Sequence, residues 1–224
     1  MQANDFDLSK EIIFEPGSGL TTWGKHRLVI FEARAIGMLR QSVLELLGWH
    51  KAQAFFLRFG YRHGFSNFVQ MQRDYNFTDE LELLKSGPVI HCWEGIVSAT
   101  PKEIRYNRET GDFYFTGVWR NSYEAEQHLR FLDPELGRYE SAPVCWTLMG
   151  YASGWGTAFF ERPLLAIEPK CMGMGHDHCE WLIQPPDKWG SEADPYRDAL
   201  HELWNNPKDM LIQEMSNRVD SNRR

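Results

Sequence analysis

The sequence predicts a mixed α+β protein in which an N-terminal arm and several helices pack with an antiparallel sheet and further helices. Three observations carry this expectation. Apolar residues before position 90 recur mostly at three- and four-residue steps, and from position 96 onward they alternate at period two. A cysteine-bearing segment, residues 168–181, lies between two of the later strand candidates and can staple them.

The elements follow in order. Residues 1–27 mix Gly17, Gly19, Thr21 and Thr22 with Ile12, Ile13 and Phe14, as expected of an extended arm or short strands. From Leu28 to Leu47 the positions Val29, Ile36, Leu39, Val43 and Leu47 describe an amphipathic helix that Gly48 ends. A second helix is expected over His50–Tyr61. A third runs over Thr78–Leu84, capped by Thr78 and stopped by Gly87-Pro88, since proline lacks an amide hydrogen. Ile96–Tyr106 and Asp112–Trp119 read as a hairpin turning at Gly111, with Phe113, Phe115, Gly117 and Trp119 sharing one face. Small residues at close spacing make residues 142–160 a helix pressed against a neighbour. Leu164–Ile167 and Glu180–Ile183 are short strands. Pro185 and Pro186 end the globular part, and Tyr196–Val219 reads as a linker helix with Leu200, Leu203, Met210, Leu211 and Met215 apolar and Pro207 interrupting.

Charge and hydropathy exclude several function classes. A formal charge of -7 over 224 residues lacks the basic footprint that neutralises phosphates, so no nucleic-acid contact is expected from this chain itself. The most apolar stretch, Leu28–Trp49, is broken by Glu32, Arg34, Arg40 and Glu45, so no membrane span is expected. The first residues, MQANDFDLSKEIIF, lack the pattern of a secretion signal, which places the chain in the cytoplasm. There Cys92, Cys145, Cys171 and Cys179 are expected as thiols or metal ligands rather than disulfides.

In EPKCMGMGHDHCEW, Cys171 and Cys179 flank Gly173 and Gly175, so the loop can fold back and bring both sulfurs to one point. Cys145 would be delivered by a helix, and Glu168, His176 and His178 compete on spacing for a fourth position. Three thiolates and one carboxylate or imidazole suit a closed structural zinc shell, and equally the cysteines fit an ordinary reduced core.

GPVIHCWEGIV, VWRNSYE, APVCWTLMGYASGWGTAFFER, EPKCMGMGHDHC and PPDKWG occur in an order that resembles the amino-terminal sensor domain of the aromatic-responsive sigma-54-dependent activators, the group of xylene, dimethylphenol and phenol regulators. The resemblance covers roughly residues 10–190 and is strongest from Ala142 to Cys179. It implies a first sensor part over residues 1–110, a zinc-binding part named after vinyl reductase over 111–190, and a helical linker over 191–224 towards an AAA+ ATPase and a DNA-binding domain absent from this sequence. It implies structural zinc on Cys145, Glu168, Cys171 and Cys179, demotes His176 and His178 to loop groups, and leaves Cys92 aside. It also implies a homodimer, with the N-terminal arm and the tail helix as contacts.

For the pocket, the resemblance places a ligand hydroxyl on His91 and Trp119, an imidazole and an indole N–H that together satisfy a buried phenolic group. Leu84, Gly117, Trp155 and Ala166 fall on further pocket positions. Leu84, Gly117 and Ala166 are smaller than the rings that phenol-sensing members tend to carry, so a ligand larger than phenol, such as a hydroxybiphenyl, is expected unless Trp93, Trp155 or Phe160 fills the space. The function implied is effector binding that relieves repression of an attached ATPase. The alternative is a zinc enzyme, or enzyme subunit, of the vinyl-reductase family acting on a hydrophobic small molecule. Three cysteines and a glutamate leave no open coordination position for catalysis, which disfavours that alternative.

Overall fold

A computed structural model describes residues 1–131 and 141–205. The N-terminal arm begins with the short helix α1 (Leu8–Glu11), which Asp7 caps, and continues as three antiparallel strands, β1 (Ile12–Glu15), β2 (Leu20–Trp23) and β3 (His26–Leu28). Its anchor is aromatic: Phe6 and Trp23 are buried together, and the Trp23 indole donates to Tyr75 Oη at 2.8 Å.

The first long helix, α2, spans Ala33–Leu47, shorter than the stretch from Leu28. Leu28 closes β3, while Val29, Leu39 and Leu47 stand exposed, so the expected stripe is not a core stripe. The buried side of α2 carries Gly37 and Arg40 instead. Gly48, at φ 73°, ends the helix with its amide on Leu44 O.

The next helix, α3 (Trp49–Asp74), runs well past the expected end at Tyr61. Gly60 and Gly64 do not break it, because they are contact points. A Cβ on Gly60 would stand 2.1 Å from Thr147 O, and one on Gly64 2.1 Å from Tyr151 O. Reciprocally, Gly150 and Gly154 of α6 (Trp146–Phe160) lie against the carbonyls of Leu57 and Tyr61. Four glycines therefore let two backbones touch, an approach that any side chain would prevent.

The helix expected to stop before Gly87-Pro88 continues instead as α4, Glu80–Trp93, and its cap is Asp79 rather than Thr78, accepting from Glu82 N at 2.9 Å. Pro88 removes the amide that would bond to Leu84 O. The Trp155 indole N–H donates to that carbonyl at 2.9 Å in its place.

The hairpin forms as β4 (Ser98–Asn107) and β5 (Asp112–Arg120), turning at Gly111. Phe113, Phe115 and Trp119 of its expected inner face are buried. With β6 (Leu165–Lys170) and β7 (Cys179–Gln184) it makes an antiparallel sheet of order β4-β5-β7-β6. Helix α6 packs on β6 and β7 as well as on α3, and α5 (Tyr123–Phe131) packs on α2.

The final described helix, α7 (Asp194–Asn205), buries Tyr196, Ala199, Leu200 and Leu203 and packs on α3. Over these residues the chain is core, not the detached linker that its composition suggested. Pro207, Met210, Leu211 and Met215 lie outside the described residues.

Candidate functional site

Two features converge on α6. The first is a cluster at its N-terminus. Cys145 precedes the helix, Glu168 comes from β6, Cys171 follows that strand, and Cys179 opens β7. The β6–β7 register shifts between Ile167 and Lys170, and Glu168 lies at this irregularity. One ligand atom from each of the four residues lies within 4.8 Å of the others, and all four residues are buried. Cys145 Sγ is 3.9 Å from Cys171 Sγ and 4.0 Å from Cys179 Sγ, and the cysteines are free thiols. Burial, reinforced by Cys171, pushes the Glu168 carboxyl well above the ordinary carboxylate range, and burial with the neighbouring thiols raises Cys145 likewise. Glu168 Oε1 is buried without a hydrogen-bond partner among the described residues. The donor set, three soft sulfurs and one carboxylate with an orphaned oxygen, fits a metal ion.

The rival histidines are engaged elsewhere. His176 Nδ1 lies 3.1 Å from Cys171 O, and His178 is held between Asp177 and Glu180. Cys92 is exposed and remote, with its sulfur against the backbone of Ala99.

A buried ion pair that the sequence analysis did not single out holds the N-terminus of α6. Glu124 of α5 accepts from the amides of Thr147 and Leu148, and Arg40 of α2 donates to Glu124 at 2.8 Å and to Val144 O at 2.7 Å. The Arg40 guanidinium also lies 4.0 Å from the Trp146 ring centre. A signal was present: Arg40 stands four residues after Ile36 and three before Val43, a charge on an otherwise apolar stripe.

The second feature is a cavity of about 30 Å³ between α4, α6 and the inner face of β5 and β7. Rings make most of its wall: His91, Phe115, Trp119, Tyr151, Trp155 and Trp181. Both ring nitrogens of His91 are buried without a hydrogen-bond partner among the described residues, and Glu94 Oε2 stands 3.6 Å from Nδ1, too far to satisfy it. Tyr151 Oη accepts from Asn67 Nδ2 at 3.4 Å, and burial pushes this phenol well above its ordinary range, so it stays protonated.

The structure brings His91, Trp119 and Trp155 of the expected pocket together. Leu84, Gly117 and Ala166 are not part of the wall. Leu84 reaches the site through its carbonyl on Trp155, and Ala166 lies opposite Ile183 with its amide on Ser153 Oγ at 2.8 Å. Gly117 lies beneath Trp181, its direct partner on β7: a Cβ on Gly117 would stand 2.4 Å from Trp181 Cζ2. The enlargement expected at Gly117 is therefore filled, and by a ring the sequence analysis overlooked. Trp93 and Phe160 do not fill it, the first donating to Phe6 O and the second packing on Phe113. Alternation was the available signal, because Cys179, Trp181 and Ile183 fall on one face of β7.

Comparison with known proteins places this architecture. Residues 7–107 match the family described as activator of aromatic catabolism, and residues 132–185 match the domain named after vinyl reductase. The transcriptional regulatory protein XylR of Pseudomonas putida is 30% identical over 212 residues, 91% of this chain and 37% of XylR. The phenol regulator MopR of Acinetobacter guillouiae is 28% identical over 183 residues, 82% of this chain and 32% of MopR. The phenol-responsive sensory domain of the transcription activator PoxR, solved with phenol, superposes with a TM-score of 0.76 at 27% identity, over 86% of this chain and 92% of that one. The chain is a sensor domain of the XylR, MopR and PoxR type. It spans about a third of the length of the two curated regulators. These relatives are regulators and not enzymes, which removes the vinyl-reductase alternative for the sensor domain. No helix among the described residues of the sensor domain is long and apolar enough to cross a membrane.

Proposed function

We propose that this sensor domain takes up a hydroxylated single-ring aromatic compound in the cavity beside His91 and signals its presence to an output region. The observation that carries the reading is the pair of unpartnered His91 nitrogens at a wall otherwise made of rings. A buried polar group without a partner is costly, and an aromatic hydroxyl supplies the missing bond while its ring meets the apolar wall. Trp119 and Trp155 are read as ring contacts of that ligand. Leu84, Gly117 and Ala166 act from behind the wall. The volume over Gly117 is taken by Trp181, which favours one ring over a hydroxybiphenyl. Benzene has been accommodated in an engineered cavity of about 150 Å³, so side chains must part for a ring to enter. That requirement suits a domain whose conformation reports occupancy.

The metal is read as zinc held by Cys145, Glu168, Cys171 and Cys179. It supplies a structural cross-link, tying the N-terminus of α6 to β6 and β7, and with four protein ligands it leaves no position for a substrate. We further read residues 1–110 and 111–190 as the two parts of one cytoplasmic sensor. Residues 191–224 lead towards a sigma-54-dependent AAA+ ATPase and DNA-binding region, whose repression the effector relieves. The active form is read as a homodimer.

The test is titration calorimetry with phenol, 2-hydroxybiphenyl and toluene, with metal assayed on the same sample and His91→Ala as control. Saturable phenol binding that is lost in His91→Ala supports the reading. Equal binding of toluene and phenol in the wild type would remove the hydroxyl from it.

A further inference from the structure

Three indoles line the cavity, and their N–H groups are not equivalent. The Trp155 N–H is committed to Leu84 O and is closed to a ligand. Trp181 is 2% exposed, and its Nε1 is buried without a partner among the described residues. It thus joins the His91 nitrogens as a second unsatisfied polar group at the same cavity. Its ring is fixed rather than loose. It lies over Gly117, edge-on to Phe115 at 4.8 Å and nearly parallel to Trp119 at 5.9 Å, and its strand is clamped by the Thr116 hydroxyl on Trp181 O at 2.7 Å.

We propose that Trp181 is a specificity-determining residue of the sensor, donating its indole N–H to the oxygen of the effector's hydroxyl and limiting the effector to a single ring. The two roles have one cause. Gly117 lacks a side chain, so the residue directly across the ladder folds over it, and this brings an N–H donor into space that a ring on Gly117 itself would have filled with carbon. An acceptor on the ligand satisfies Trp181, while the ligand's own O–H donates to His91. A hydroxyl does both, and a methyl group does neither.

This inference rests on the effector reading above, and the experiment separates the two. Phenol, toluene and 2-hydroxybiphenyl are titrated into the wild-type chain, Trp181→Phe and Trp181→Ala. Trp181→Phe keeps a ring and loses the donor, so phenol affinity is expected to fall about tenfold, the worth of one hydrogen bond, with toluene affinity unchanged. Trp181→Ala is expected to gain 2-hydroxybiphenyl relative to phenol. In the wild-type chain, the indole ¹⁵N–¹H resonance that disappears in Trp181→Phe is expected to shift with phenol and to stay in place with toluene. This last readout does not depend on any variant's stability. Unchanged phenol affinity in Trp181→Phe, with an unmoved indole signal, overturns this inference alone. A wild-type chain that binds no hydroxylated ring overturns the effector reading and this inference with it.

Discussion

The Trp155 indole N–H stands 2.9 Å from the carbonyl of Leu84, the acceptor left vacant by Pro88 four residues on. This bond does two things. It lets α4 pass through a proline and so carry His91 on a helix, and it ties α4 to α6 at the cavity wall.

Trp155→Phe is expected to destabilise the chain by about 1–3 kcal/mol, because a buried carbonyl loses its donor. Pro88→Ala in the same background restores a backbone amide and is expected to recover part of the loss. Urea denaturation of the two single variants and the double variant measures the coupling. Additive effects would contradict the account.

The glycine contact between α3 and α6 predicts a steep cost for a methyl group. Gly64→Ala and Gly154→Ala each place a Cβ about 2 Å from a backbone carbonyl, which cannot rotate away. Each is expected to lower stability by roughly 1–3 kcal/mol or more. Substituting Ala at Gly17, where nothing lies within 4 Å of the new Cβ, is expected to change the denaturation midpoint little.

Breaking the Arg40–Glu124 pair leaves one charge buried. Arg40→Met is expected to cost about 3–5 kcal/mol, and Arg40→Met with Glu124→Leu less than the sum of the singles. Thermal melts of the three variants decide this. A double variant as unstable as that sum would place the loss in packing against Trp146.

Metal content separates the four cysteines. Cys171→Ser is expected to lose the bound metal and to melt at lower temperature, whereas Cys92→Ser retains both metal and midpoint. Chelator treatment of the wild-type chain is expected to reproduce the Cys171→Ser midpoint. Elemental analysis beside calorimetry reads both quantities.

Acid is expected to weaken the fold through His128. Burial, with repulsion from Arg40, lowers this imidazole from 6.5 to about 4. Because the unfolded chain takes up the proton first, stability falls as pH drops from about 6.5 towards 4. His128→Gln is expected to flatten this part of the profile. Urea midpoints measured across that range, with a slope unchanged by the substitution, would refute the assignment.

Much of this protein is local and therefore legible. The period of the hairpin placed Phe113, Phe115 and Trp119 on a buried face, and the small residues of 142–160 announced a closely packed helix. The four candidate metal ligands and His91 emerged from motif resemblance, and the fold gathers the four into one cluster and sets His91 beside Trp119 and Trp155.

What sequence by itself determined was the order of periods, hence an α+β chain, and the residue types able to meet at a metal or a ring. The tertiary structure decided every feature that depends on a partner distant in sequence. Pro88 ends a helix unless an indole 67 residues away supplies the missing donor. Gly60 and Gly64 weaken a helix unless another backbone comes to lie against them, and Gly117 opens a cavity unless Trp181 closes it. In each case the same residue has opposite local meanings. Which one holds is set by long-range packing, because an unmet hydrogen bond or an empty volume is a property of the assembled neighbourhood and not of the residue.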